Sequence, residues 1–212
     1  MVNPAGPLWT RARLIRVLKL RYGQNRLGHA NTGAAAQSLG VSARTVQRWL
    51  AGRSGRQVAH IPPARLRQLI ELLTPSQERI RDEQREADNA RRALQDIQKP
   101  EDVLPIWSER GWLEPHHVLL IAVRPLGIRQ LAINRVSAPG SNTLRRRGTV
   151  IATMEVPTRF HATAVVRQVL QDVQPWRFQA SPDQVRRGMT QSWLDDAPAV
   201  DLAQVLARLE LP

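Results

Sequence analysis

Residues 32–51 read TGAAAQSLGVSARTVQRWLA, and this stretch decides how the first third of the chain folds. Its pattern predicts two short helices joined by a tight turn. Thr32 is placed to cap the first helix, and Ala34, Ala35, Ala36 and Leu39 supply helix formers with a small apolar face. Gly40 falls where the chain must turn sharply, and glycine adopts a left-handed backbone at little steric cost. Val41 follows as a core contact. Ser42 can cap the second helix, which runs to about Leu50 and stops near Gly52. On that helix Val46, Trp49 and Leu50 share one face, while Ser42, Arg44, Thr45, Gln47 and Arg48 share the other. Small alanines, a turn glycine and a buried valine at this spacing are the sequence form of a helix-turn-helix.

Paired short helices also occur as plain structural hairpins in all-helical folds. Two features weigh against that reading. The outward face of the second helix carries Arg, Thr, Gln and Arg, side chains able to reach base edges and phosphates. The charge around it is also one-sided. The chain of 212 residues has a formal net charge of +13. Residues 1–70 hold 12 Lys plus Arg and no Asp or Glu; residues 71–212 hold the other 19 basic and all 18 acidic residues, a balance of +1. Such a field favours a polyanion and makes affinity fall with salt. DNA is therefore the expected partner. No basic stretch is paired with a long apolar face and no apolar run approaches spanning length, so no membrane partner is expected.

Working outward, residues 1–7 read as a tail. Leu8 to Tyr22 reads as a basic amphipathic helix, with Trp9, Ile15, Leu18 and Tyr22 available to pack on the hairpin. Its Arg11, Arg13 and Arg16 lie either over phosphates or in solvent. Residues 23–31 form a Gly/Asn loop. After the hairpin comes AGRSGRQVAHIPP, whose Arg53 and Arg56 suit a backbone or minor-groove contact. Residues 64–73 read as a helix with Leu66, Leu69, Ile70 and Leu73 inward. Thr74, Pro75, Ser76 and Gln77 form a helix start, and that helix runs toward Lys99, where Pro100 ends it. It is polar almost all round, with spacings such as Asp88 to Arg92 and Arg92 to Asp96 suited to ion pairs. The usual meaning is a solvated spacer; no sustained heptad supports a coiled coil.

Residues 101–212 change character. A short helix over 101–110 carries Val103, Leu104, Ile106 and Trp107. HHVLLIAV (116–123), a segment near 128–136 and TVIATMEV (149–156) read as strands. SAPGSNTLRRRG (137–148) is a polar loop. Pro157 opens a helix to about Val173, and Ser181, Pro182 and Asp183 open another to about Leu194. The tail 199–211 suits helix or edge strand equally. The fold class expected is α+β: an N-terminal all-α helix-turn-helix domain (1–73), a polar linker helix (74–100), and a C-terminal small antiparallel sheet with packed helices (101–212).

Catalytic constellations are missing from the sequence. There is no cysteine, which excludes disulfides, thiolate zinc sites and a cysteine nucleophile. His116 and His117 are adjacent, so on a strand they point to opposite faces and cannot share a metal. Asp195 and Asp196 read as a helix end. No phosphate-cradling Gly loop or nucleophile elbow is found. No free-standing enzyme and no cofactor of its own are expected. The start, MVNPAGPLWT, lacks a signal-peptide pattern, so a cytoplasmic, nucleoid-associated protein is expected.

With both halves read, the chain resembles the telomere terminal proteins of actinomycete linear chromosomes and plasmids. LGVSARTVQRWLAG agrees in position and character, SAPGS (137–141) looks like that family's Ala-Pro-Gly-Thr segment, ATMEVPTRF (152–160) like its strand ending in Pro and Arg-aromatic, and DQVRRGMTQSWLDD (183–196) like its following helix. The alignment takes a three-residue insertion after Gly140. What the resemblance implies is a protein that caps 5′ telomere ends and supplies a hydroxyl as primer for end replication. The family's linkage residue is a Thr just after Ala-Pro-Gly; Ser141 stands there in this chain, and Thr143 is the nearest threonine. Arg145, Arg146 and Arg147 would neutralise nucleotide or template phosphates beside them. The implied partners are telomeric duplex or a folded 3′ overhang, a telomere-associated protein and a DNA polymerase, whose divalent metal would activate the hydroxyl; a homodimer is compatible with this. Taken without the resemblance, 137–148 reads more simply as a solvated loop whose Ser and Thr cap turns. The competing function is a helix-turn-helix transcriptional repressor of phage or plasmid type, with a C-terminal dimerisation or effector domain. A structural DNA-organising protein fits the charge but leaves the second half unexplained.

Overall fold

The structure is a computed structural model that describes residues 9–51, 61–137, 148–183, 185 and 189–212. The chain forms two compact units. One comprises Met1–Ser76 with Pro175–Thr190, the other Gln77–Gln174 with Gln191–Pro212. The class is α+β, as the sequence reading expects.

In the first unit, α1 (Arg11–Tyr22) starts at Thr10, whose hydroxyl accepts from the Arg13 amide at 3.2 Å. Its buried stripe is Leu14, Val17, Leu18 and Leu20; Ile15 and Tyr22, expected inside, are only half-buried. The turn 23–31 closes through a bridge between Gln24 and Ala30, with the Asn25 side chain accepting from the Leu27 and His29 amides. α2 (Thr32–Leu39) is capped by Asn31, whose Oδ1 accepts from the Ala34 amide, so Thr32 is its first residue and not its cap. Ala35, Ala36 and Leu39 are buried. Gly40 is left-handed (φ 62°, ψ 35°), and its amide returns to the Ala36 and Gln37 carbonyls. α3 (Ala43–Leu50) begins at Ser42 as anticipated, and α4 (Pro63–Leu73) buries Leu69 and Leu73.

The sequence reading does not assign a later part of the chain to this unit. In 175–190, Trp176, Phe178, Ala180 and Val185 are buried. The Gln179 amide donates to the Leu73 carbonyl at 2.7 Å, and the Ser181 amide to the Leu20 carbonyl at 3.0 Å. Arg177, 4% exposed, donates to the Thr190 carbonyl.

The second unit is built on β1 (His116–Val123), β2 (Ile128–Arg135), β3 (Thr149–Val156) and β4 (Ser192–Leu194), in the order β3-β1-β2-β4 with every neighbouring pair antiparallel. β2 and β3 therefore run parallel on either side of β1, and the connection from Ser137 to Gly148 joins opposite ends of the sheet. Gly148 meets the sheet closely: a Cβ there would lie 2.3 Å from the Ala122 carbonyl oxygen, so only glycine fits.

α5 (Gln77–Asp96), α6 (Pro105–Glu109), α7 (Arg159–Asp172) and α8 (Leu202–Leu209) complete the unit. α7, capped by Thr158, buries Ala162, Val165, Val166, Val169 and Leu170 and packs on β1, β2 and β3. α5 is not a solvated spacer. It lies along α7 with Ala87, Ala90, Ala93 and Leu94 buried, because small side chains let two helices approach closely. Arg92 bonds Asn89 and not Asp88 or Asp96. Three further expectations change. Pro105 restarts the helix expected over 101–110, since proline belongs at a first turn. No helix runs through Leu194: Ser192, Trp193 and Leu194 are buried and pair with β2, a long-range ladder that overrides local pattern. Asp195 and Asp196 follow that strand and do not end a helix. The tail forms α8, capped by Asp201, which receives the Ala203 and Gln204 amides.

Candidate nucleic-acid interface

The short helix α3 has two unlike sides. Val46 (1% exposed) and Trp49 (5%) hold it to the core of the first unit, while Ser42, Arg44, Gln47 and Arg48 are exposed. The division follows from helical spacing: 46 and 49 are three apart, and 44, 47 and 48 fall opposite. The N-terminus is tightly organised. Ser42 Oγ accepts from the Thr45 amide at 3.1 Å and lies 2.9 Å from Thr45 Oγ1, which makes Thr45 half-buried and engaged in the cap. Gln47 Nε2 donates to Thr32 Oγ1 at 3.5 Å, a long contact that a stronger acceptor can displace. Arg44 and Arg48 have no carboxylate partner among the described residues.

Electrostatics reinforce this face. With no Asp or Glu in residues 1–70, nothing in that stretch neutralises these guanidiniums, and the positive end of the helix dipole adds partial positive charge at the start of α3. An anion brought to α3 gains hydrogen bonds from Arg and from backbone donors together.

The arginines of α1 divide differently from the expectation. Arg11 donates from Nε to the Leu50 carbonyl at the end of α3, where unpaired carbonyls and the negative end of the helix dipole attract a cation. It holds α3 in place. Arg13 is 6% exposed and stacks 5.6 Å from the Trp9 ring centroid, so it is a packed side chain and not a phosphate contact. Arg16 is half-exposed. The sequence reading missed these inward roles because helical spacing alone does not tell which carbonyl a long side chain reaches. It also missed 175–190, for which the alternation of Trp176, Phe178 and Ala180 is a period-two signal of a buried extended segment.

Arg53, Arg56, Ser141, Thr143, Arg145, Arg146 and Arg147 lie outside the described residues. Where the chain leaves β2, Ser137 Oγ donates to Glu114 Oε2 at 2.9 Å, and Glu114 also pairs with Arg135 at 3.3 Å. His116 is buried at the start of β1 and His117 lies half-buried, 3.5 Å from Glu155, so the two neighbours do point apart. Among the described residues no group of three metal-ligating side chains occurs, and no helix is long and apolar enough to cross a membrane. In comparison with known proteins, no family model, no curated protein and no solved structure matches this chain.

Proposed function

We propose that this chain binds duplex DNA by presenting α3 to the major groove, and that it acts as a terminal protein, priming synthesis at the 5′ ends of a linear replicon. The observation that carries the DNA reading is the exposed Arg44, Gln47 and Arg48 face of α3, opposite the buried Val46 and Trp49, in a segment without carboxylates. Arg pairs with guanine and Gln with adenine through two hydrogen bonds each, so these residues can specify sequence while Arg48 holds phosphate.

The priming reading rests on the resemblance of SAPGS and ATMEVPTRF. In it, Ser141 Oγ attacks the α-phosphorus of the first nucleotide, with Thr143 the second candidate. A phosphodiester forms, the bond to the β-phosphate breaks, pyrophosphate leaves, and the hydroxyl proton passes to a base or water at the polymerase site. The polymerase supplies the metals that activate the hydroxyl and stabilise the leaving group. Arg145, Arg146 and Arg147 neutralise nearby phosphates.

The duplex site is first selected from a random library with the full chain. Arg44→Ala or Gln47→Ala should then cost about 1–3 kcal/mol at one base position of that site and little on random duplex. Equal loss on both would reduce these residues to phosphate contacts. For priming, the chain is mixed with its polymerase, telomeric template, metal and a labelled nucleotide. Label should survive denaturation, and Ser141→Ala should abolish it with duplex binding intact. Label lost only in Thr143→Ala moves the attachment by two residues. A two-fold symmetric selected site, with no label where a known terminal protein is labelled, would replace this reading by the repressor.

A further inference from the structure

Trp112 lies in the turn between α6 and β1 and is half-buried. Its ring meets Phe160 of α7 edge-on at 6.0 Å and 90°, and Phe160 meets the buried Trp107 edge-on at 4.8 Å. The Trp112 carbonyl accepts from the Arg159 amide at 2.8 Å, tying this turn to the start of α7. Two exposed arginines converge on the ring: the guanidinium carbons of Arg110 and Arg159 lie 5.3 and 5.2 Å from its centroid.

Two guanidiniums sharing one ring repel each other, and the ring's π-face offsets this only in part. Neither arginine has a carboxylate partner among the described residues. Glu114, on the same turn, is engaged by Arg135 and Ser137 instead. The positive field is felt nearby: burial first, and then the charges of Arg159 and Arg135, hold the buried His116 imidazole below its ordinary value. The two guanidiniums thus sit on one ring without a neutralising carboxylate among the described residues.

The geometry suits a particular anion. Guanidiniums bind phosphate through paired donors. Guanidinium planes and aromatic rings also stack unpaired bases, whose faces a duplex keeps covered. We propose that Arg110, Trp112 and Arg159 form a second nucleic-acid site that takes an unpaired strand, its phosphates on the two arginines and a base stacked on the Trp112–guanidinium surface. This site stands on residues of the second unit alone. It goes beyond the duplex contact through α3 and does not depend on it.

The test uses the full chain and a labelled oligothymidylate of about 20 nucleotides, long enough for one compact site, beside a random duplex of equal length. Arg110→Gln/Arg159→Gln keeps both side chains long while removing both charges. Arg81→Gln/Arg124→Gln removes the same charge from exposed positions elsewhere in the unit. By fluorescence anisotropy the first variant should lose about tenfold or more in single-strand affinity, well beyond the control, with duplex affinity changed less than about twofold. Single-strand affinity that is unchanged, or lowered no more than in the control, overturns the proposal. An equal loss on duplex also overturns it, because the arginines would then belong to a duplex surface. If the double variant melts early, Arg110→Gln alone decides, since that guanidinium contacts only the Trp112 ring among the described residues; it should then lower single-strand affinity more than Arg124→Gln does.

Discussion

His116 shows how one residue's chemistry is fixed by its position on a strand. It is the first residue of β1, 3% exposed, and Nδ1 donates to the Glu114 carbonyl at 2.8 Å. Burial disfavours the imidazolium, Arg159 and Arg135 oppose it further, and its pKa falls below the ordinary 6.5 despite the carbonyl. The unfolded chain takes up this proton near 6.5, whereas the folded chain holds out to lower pH. In that interval the unfolded state binds more protons, so the contribution of neutral His116 is fully present above 6.5 and is lost as pH falls toward the lowered value. His116→Asn retains a side-chain donor for Glu114 without the titration. Urea unfolding of both proteins over this pH range should therefore show the native chain losing more stability than the variant as pH drops. Parallel pH profiles would mean that His116 does not titrate differently in the two states. That His116 and His117 face apart was legible from the period of two along a strand. That Arg135 and Arg159 would lie near His116 was not, because strand register and the start of α7 bring them there.

At the scale of elements, the three long strands and α7 were legible because their apolar runs are strong and bounded by Pro and Gly. α5 and β4 were not, for opposite reasons. α5 buries a stripe that starts at Glu83 and continues through Ala87, Ala90 and Leu94, and alanine is too weakly apolar to reveal such a face against so many charges. β4 sits in a segment of helical pattern, and only β2 makes it a strand. Glu83, 6% exposed, is the polar end of the α5 stripe. It bonds Arg79 at 2.8 Å and lies 3.8 Å from Arg167 of α7, which also pairs with Glu86. Arg167→Leu takes one guanidinium away from Glu83 in a poorly solvated place, and should cost about 1–3 kcal/mol. Glu83→Leu/Arg167→Leu removes both charges and should recover most of that loss. Chemical denaturation of the two single variants and the double closes the cycle. A double variant as unstable as the summed singles would show that the pair makes no mutual contribution between α5 and α7.

At the scale of the molecule, the chain leaves its first unit after Ser76, builds most of the second, returns for Pro175–Thr190, and goes back. A division into 1–73, 74–100 and 101–212 follows the order of the sequence, and a contribution from a segment a hundred residues away leaves no local mark. The returning segment carries much apolar surface: Phe178 is 2% exposed, and Trp176, Ala180 and Val185 are buried with it. Its backbone ties to α4 through Gln179 and Leu73 and to α1 through Ser181 and Leu20. α3 in turn depends on α1 through Arg11 and the Leu50 carbonyl. The α3 face proposed to bind duplex should therefore depend on a phenylalanine some 130 residues later in the chain. Phe178→Ala removes a buried aromatic and should destabilise the first unit by about 3–5 kcal/mol. In calorimetry, a transition belonging to the first unit should fall, while one belonging to the sheet and α7 keeps its temperature. Duplex affinity should fall as the first unit begins to melt, and oligothymidylate binding through Arg110 and Arg159 should persist. For the same reason a fragment 1–73, which lacks the returning segment, should melt below the first transition of the full chain. A fragment as stable as that transition, or a Phe178→Ala chain whose first transition does not move, would show that 175–190 lies against the first unit without supporting it.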